Sequence, residues 1–407
     1  MNFKRPEVLS PAGNIEKLRY AVDYGADAVY CALDRFGLRA AAENFTPEQL
    51  QAAVSYAHSK GSKVYVTLNV MPHDDQFAAL NEYFDHIKSM RPDALIIADA
   101  GVLYEARKAL PEIPIHLSTQ ASTLNSAACR FWAENGVSRI VLARELSLQQ
   151  ITELRQNSPQ SIELEAFVHG AMCVAYSGRC LLSSYLTGRS ANEGKCTQPC
   201  RWHYYVTEEK RQNDPLPIEE DREGSYLLSS KDMCMIEHIP ELVKAGIASF
   251  KIEGRVKSVG YTAAVTNAYR CVLDEYMAKG DAFVFDPDWL TEVLSVSHRE
   301  YSTGFYFGDP LADANIVTDG GYIRDRAFLA TVEEYDEATH LALCTQRNKM
   351  CRGDNVDILS PHCKGRQVVA AELFDADMQP IDSTPHPMMR FYLRTDGVKK
   401  GDIIRGV

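Results

Sequence analysis

Four of the chain's eleven cysteines fall within HGAMCVAYSGRCLLSSYLTGRSANEGKCTQPCRW, from His169 to Trp202. Cys173, Cys180, Cys196 and Cys200 are spaced C-x6-C-x15-C-x3-C, and Cys234 follows further on. A zinc ribbon pairs two tight C-x2-4-C knuckles, or one knuckle with two histidines, and only CTQPC fits that pattern. Four thiolates spread over glycine-containing loops suit an iron–sulfur cluster, whose larger cage accepts wider and less regular spacing. On spacing, then, an iron–sulfur cluster comes first, zinc second and unrelated thiols third. A disulfide framework is disfavoured, because the number is odd and a reducing compartment keeps thiols free.

The compartment follows from composition. Hydrophobic residues make up 45% of the chain and charged residues 24%, as in ordinary globular proteins. No apolar run approaches the roughly 18 to 20 residues of a membrane span, and MNFKRPEVLS lacks the apolar stretch of a signal peptide. A cytoplasmic protein without a membrane partner is expected. The formal net charge of −12 argues against general nucleic-acid affinity but leaves room for a local basic patch. Cys31, Cys129 and Cys271 sit in apolar patterns and are expected in the core. Cys344, Cys351 and Cys363 are too dispersed to suggest a site.

Positioning such a cluster requires a scaffold, and the chain supplies a repeating one. EVLSPA, DAVYCAL, KVYVTLNV, ALIIAD, IHLSTQ, RIVLARE, ELEAFVHG and ASFKIEGR are eight strand-like runs, with amphipathic helix patterns such as FAALNEYFDHIKSM between most of them. Alternating strands and helices pair in parallel through right-handed crossovers, and eight units close into a (β/α)8 TIM-type barrel. An open doubly wound sheet is the alternative, but no glycine-rich nucleotide loop follows an early strand. The barrel is expected over residues 1–310, with a cysteine-rich insertion at about 170–225. After a linker marked by Gly308–Pro310 and Asp319–Gly321, short alternating segments predict a small C-terminal β-barrel or sandwich domain over 320–407.

In such barrels chemistry gathers at the C-terminal ends of the strands. Those ends are polar here: Asn69, Asp99, Gln120, Arg144 with Glu145, Glu165, His169, Lys251, Glu253 and Arg255. Side chains alternate along a strand, so Lys251, Glu253 and Arg255 share one face, as do Glu165, Phe167 and His169. Facing inward, they would ring the barrel mouth with charge suited to a phosphate or polyanionic small molecule. The alternative is a set of ion pairs that merely closes the barrel top.

The segment Glu163 to Arg189 resembles the signature of the collagenase-like peptidase family, U-32. SPAGN, GADAVY, NFT, STQAS, LARELS, CRW and SFKIEGRVKS resemble its other blocks, so the likeness covers nearly the whole chain. The family is functionally divided. It includes proteins described as proteases, RNA hydroxylases acting on tRNA or ribosomal RNA, and iron–sulfur proteins of ubiquinone hydroxylation. The barrel, the C-terminal β domain and GKCTQPCRW most resemble the tRNA branch. That resemblance implies oxygen-independent, prephenate-dependent conversion of the wobble uridine to 5-hydroxyuridine, with tRNA and prephenate as partners. It also implies an iron–sulfur cluster, [4Fe-4S], on Cys173, Cys180, Cys196 and Cys200, with Cys234 as a candidate replacement for Cys200.

Residue chemistry favours hydroxylase over hydrolase. No GxSxG or HExxH motif occurs, and four thiolates would close a zinc site against water. Arg144, Lys251 and Arg255 would hold the two carboxylates of prephenate, with Gln120 and Asn69 beside them as substrate-binding groups. Glu145, His169 or Glu253 would move protons. A collagenase-like peptidase and a zinc-stabilised RNA-binding scaffold are the alternatives. Turns carrying Arg352 and Lys399 are expected to contact RNA phosphates or to be simple hairpin tips.

Overall fold

The computed structural model describes residues 4–33, 36–38, 43–77, 79–173, 175–202, 205–206, 216–217, 230–308, 323 and 326–407. They divide into two compact units. Met1–Arg19, Asp27–Val256 and Arg299–Tyr322 form the first, and Tyr20–Ala26, Lys257–His298 and Ile323–Val407 the second.

Eight parallel strands make the frame of the first unit: β1 (Glu7–Pro11), β2 (Ala28–Cys31), β3 (Lys63–Leu68), β4 (Ala94–Ile97), β5 (Ile115–Leu117), β6 (Val137–Val141), β7 (Glu163–Ala171) and β8 (Ser249–Ile252). Each pairs with the next, and β8 pairs with both β7 and β1, so the sheet closes on itself. That closure establishes the TIM-type barrel over the open alternative. Leu9, Ala28, Tyr30, Tyr65, Ala94 and Ile96 occupy alternate strand positions and form one buried cluster, as the period-two geometry of strands requires.

Local chemistry fixes where helices begin. Thr46 and Gln49 form a capping box with Pro47 in the first turn, and Ser147 and Gln150 form another, satisfying amide groups that have no partner within the helix. Asp99, expected among the polar strand ends, accepts the Val102 amide at 2.9 Å. Its carboxylate caps the helix Ala100–Ala109.

The described part of the insertion after β7 contains a short helix, Leu182–Thr187, and a 3-10 turn, Pro199–Arg201. Most of 203–229 lies outside the described residues. The chain returns as Asp232–Cys234, antiparallel to the end of β7. Asp232 there accepts from the fully buried Arg299, through Nη2 at 2.6 Å and Nε at 3.1 Å.

The second unit contains the helices Val259–Lys279 and Asp288–Leu294 and a seven-stranded antiparallel sheet. The sheet runs from Arg366–Val369 at one edge to Leu373–Phe374 at the other, and these edge strands are not paired together. The expected small barrel is thus a half-barrel, filled by Val332, Cys344, Val356, Phe391 and Ile404. The expected linker at 309–310 and 319–321 falls outside the described residues. Cys31 and Cys129 are buried, as expected, whereas Cys271 is half-buried. Its helix is apolar on most sides, which hid the exposed edge from a reading of sequence pattern. No described helix is long and apolar enough to cross a membrane.

Candidate functional site

One cavity at the C-terminal ends of the barrel strands gathers most of the expected residues. Cys173, Cys180, Cys196 and Cys200 line it together with Asn69, Gln120, Arg144, Lys251, Glu253 and Arg255. Glu145, His169 and Cys234 are not among its lining residues.

Below the cavity, the barrel interior carries an ion-pair network. Lys251 Nζ lies 2.6 Å from Glu165, whose other oxygen is 3.3 Å from Arg139. Arg139 also pairs with Glu7 and Glu163, each at 2.7 Å, and the Tyr65 hydroxyl donates to Glu7. Burial alone would lower the pKa of Arg139, but Glu7 and Glu165 outweigh it and hold the guanidinium above its usual range. Burial, with Arg139 and Lys251 nearby, pushes His116 well below the usual histidine range. Lys251 thus lines the cavity while its ammonium is paired with a carboxylate that has no solvent exposure.

Arg144 is placed differently. Its guanidinium lies 3.9 Å over the Phe167 ring and donates to the Ala171 carbonyl at 3.3 Å. Among the described residues no carboxylate pairs with it, and its buried Nε has no acceptor. The buried Gln120 Oε1 likewise has no donor. Asn69 Oδ1 accepts the Leu38 amide at 3.0 Å. Buried Arg255 donates to the Thr67 hydroxyl at 3.3 Å. A side chain at Gly13 would meet the Arg255 carbonyl at 2.2 Å, so glycine there lets β1 approach the end of β8. The Tyr30 hydroxyl lies 3.3 Å from Glu253.

The face shared by Glu165, Phe167 and His169 is broken. Lys251 is in register with Phe167, but Ile252 is in register with His169, so Val168 is an extra residue in β7. Such a bulge reverses the side of every residue beyond it. His169 consequently meets the Tyr301 hydroxyl at 3.0 Å. Glu145 is committed too, accepting the Ser177 amide at 2.9 Å and facing its hydroxyl. It holds the cysteine loop in place.

That loop is tied down at further points. The Met71 amide donates to the Asn192 carbonyl at 3.1 Å. Gly178, at φ +73°, approaches the Gln120 carbonyl where a side chain would stand at 2.1 Å. Ser183 Oγ accepts the Thr197 amide at 3.1 Å and fixes the turn carrying Cys196. The Cys196 sulfur receives the Gln198 amide at 3.4 Å, the kind of contact that tunes cluster-bound thiolates. Burial raises the Cys200 thiol; Arg201 opposes this, while Cys173, Cys196 and Cys180 add to it. Cys234 instead stands in register with His169 on the returning strand. Among the described residues no three Cys, His, Asp or Glu groups converge as one metal ion requires. The four cysteines nonetheless line one cavity.

Phe167, placed from sequence on the face of Glu165, lines the cavity, as do Tyr30, Thr67 and Ser177, which were not singled out from sequence. Tyr30 and Thr67 occupy inward positions near strand ends, so alternation within each run was the available signal. Ser177 had none, because its place depends on the fold of the loop.

The model of peptidase family U32 matches residues 13–316, and that of the peptidase family U32 C-terminal domain matches residues 324–405. The chain is 37% identical to tRNA hydroxylation protein P1 of Bacillus subtilis (strain 168), over 97% of this chain and 92% of that protein. It is 36% identical to tRNA hydroxylation protein P of Escherichia coli (strain K12), over 88% of this chain and 86% of that protein. It is also 40% identical to the 23S rRNA 5-hydroxycytidine C2501 synthase of Escherichia coli (strain K12), over 66% of this chain and 39% of that protein.

Proposed function

We propose that this chain, which belongs to the peptidase U32 family, is a cytoplasmic, iron–sulfur-dependent tRNA hydroxylase that converts a wobble uridine to 5-hydroxyuridine with prephenate as co-substrate. The observation that carries the reading is the single cavity shared by four cysteines and the cationic barrel mouth. The names of the two long relatives support hydroxylation of tRNA.

Cys173, Cys180, Cys196 and Cys200 would hold the cluster, with the Gln198 amide stabilising charge on Cys196. When bound, the cluster would supply redox chemistry beside the substrate. Arg144 is the cavity cation best able to take a carboxylate of prephenate, since its planar fork has no carboxylate partner among the described residues. Arg255 offers a second cation on the same lining. Lys251 adds positive potential but is already paired with Glu165. Gln120 Oε1 is an acceptor free for a substrate N–H or O–H. Of the three candidate proton carriers, Glu253 is the one on the cavity wall and is assigned the proton transfer.

The peptidase reading has less support. Among the described residues no histidine lines the cavity, so there its thiols and hydroxyls lack the usual base of a Ser or Cys hydrolase. Total tRNA from a strain lacking the gene should lose 5-hydroxyuridine and the nucleosides made from it, as read by mass spectrometry, and regain them on complementation. An unchanged nucleoside profile would sink the proposal.

A further inference from the structure

We infer that the outer side of the cysteine insertion, residues 175–202, is the surface on which a single-stranded RNA loop docks before a base enters the cavity. This rests on the tRNA reading above and adds where the RNA is held. The chain as a whole carries a net charge of −12, yet this segment has Arg179, Arg189, Lys195 and Arg201 against Glu193 alone. It is a local basic patch on an acidic protein.

Two exposed arginines here also differ in state from three arginines of the small domain. There, Arg352 pairs with Asp382, Arg390 with Glu333 and Arg394 with Glu372. In the insertion Lys195 pairs with Glu193, but exposed Arg179 and Arg189 have no carboxylate partner among the described residues. Unmatched surface cations are what a phosphate backbone recruits. The turn of Arg352, expected from sequence to meet phosphates, is the weaker candidate because its charge is already met.

Aromatic rings accompany the charge. Tyr185 is 82% exposed, Tyr176 59% and Trp202 45%. Exposed rings beside cations are the stacking platforms of single-strand binding, where bases stack with little regard to sequence. Tyr176 itself lines the cavity, so the patch is continuous with the site. A base must leave its neighbours to reach a recessed reactive centre, and a ring at the entrance offsets part of the lost stacking.

The test uses anaerobically prepared full-length protein and a fluorescein-labelled RNA stem-loop with a uridine-containing loop. Arg179→Glu with Arg189→Glu should weaken binding about tenfold or more and flatten its salt dependence by roughly one to two units of slope. Tyr185→Ala should weaken it about fivefold or more. Neither change touches the cavity lining, so iron content should match the unaltered protein. Arg352→Glu with Lys399→Glu should bind nearly as the unaltered protein does. Equal affinity of both insertion variants, or a large loss confined to the small-domain variant, would overturn the docking surface and leave the hydroxylase reading standing. A dimer in light scattering that Tyr185→Ala abolishes, with RNA affinity unchanged, would assign the patch to a second copy and overturn the proposal. Failure of the unaltered protein to bind the RNA at all would overturn this inference together with the tRNA reading.

Discussion

Replacing Cys173 and Cys180 together by alanine is expected to remove both iron and 5-hydroxyuridine formation while leaving the barrel folded. The two thiols project from the insertion into the cavity, where Cys173 is exposed and Cys180 half-buried. Neither fills the barrel core, so their loss creates no core cavity and should cost little packing energy. Two remaining thiols cannot complete a four-cysteine cage. The expected outcome is product below detection in complemented tRNA, iron and sulfide near zero, and an unchanged far-ultraviolet circular dichroism spectrum. Product retained at the level of the unaltered protein would separate the chemistry from these cysteines. Cys234→Ala, by contrast, should keep its iron, because Cys234 lies on the returning strand and outside the cavity lining.

The second large effect concerns stability. Glu165 has no solvent exposure and bridges Lys251 and Arg139, both nearly buried. Glu165→Ala leaves Lys251 without its carboxylate and removes one of three from Arg139. Breaking a buried pair from one side costs about 3–5 kcal/mol, since the abandoned charge stays desolvated. Urea unfolding should show a loss of that order. Glu165→Leu combined with Lys251→Met should recover much of it, because removing both charges also removes the uncompensated one. A loss below about 1 kcal/mol, as for an exposed pair, would mean that water reaches the network and that Lys251 is freer to bind substrate than its geometry implies.

The barrel was legible in the sequence because each strand is a short run of Val, Ile and Leu between helical periods, and because period-two alternation survives in six of the inward residues of its core cluster. The four cysteines were legible from spacing, and they reach one cavity on loops anchored by Glu145 and Gly178. Other features depend on register. The extra residue Val168 in β7 sends His169 away from the face of Phe167, and the sequence hint of such an irregularity is Gly170, two residues on and at φ +100°. The commitment of Lys251 to Glu165 and of Glu145 to Ser177 is likewise a tertiary fact. Sequence showed charges at strand ends but not which would cancel one another. Arg144 and Glu253 were as plain in sequence as Glu145 and His169. Position on the cavity wall is what separates the two pairs.

The central claim is that this cavity hydroxylates tRNA with prephenate and without O2. Its most direct test is a reaction under argon: purified protein of measured iron and sulfide content, unmodified tRNA, and prephenate added or withheld, followed by nucleoside mass spectrometry. The account predicts 5-hydroxyuridine when prephenate is present, little or none when it is withheld, and none from the Cys173→Ala, Cys180→Ala protein. Iron-loaded protein that binds tRNA yet forms no 5-hydroxyuridine with prephenate present would contradict it.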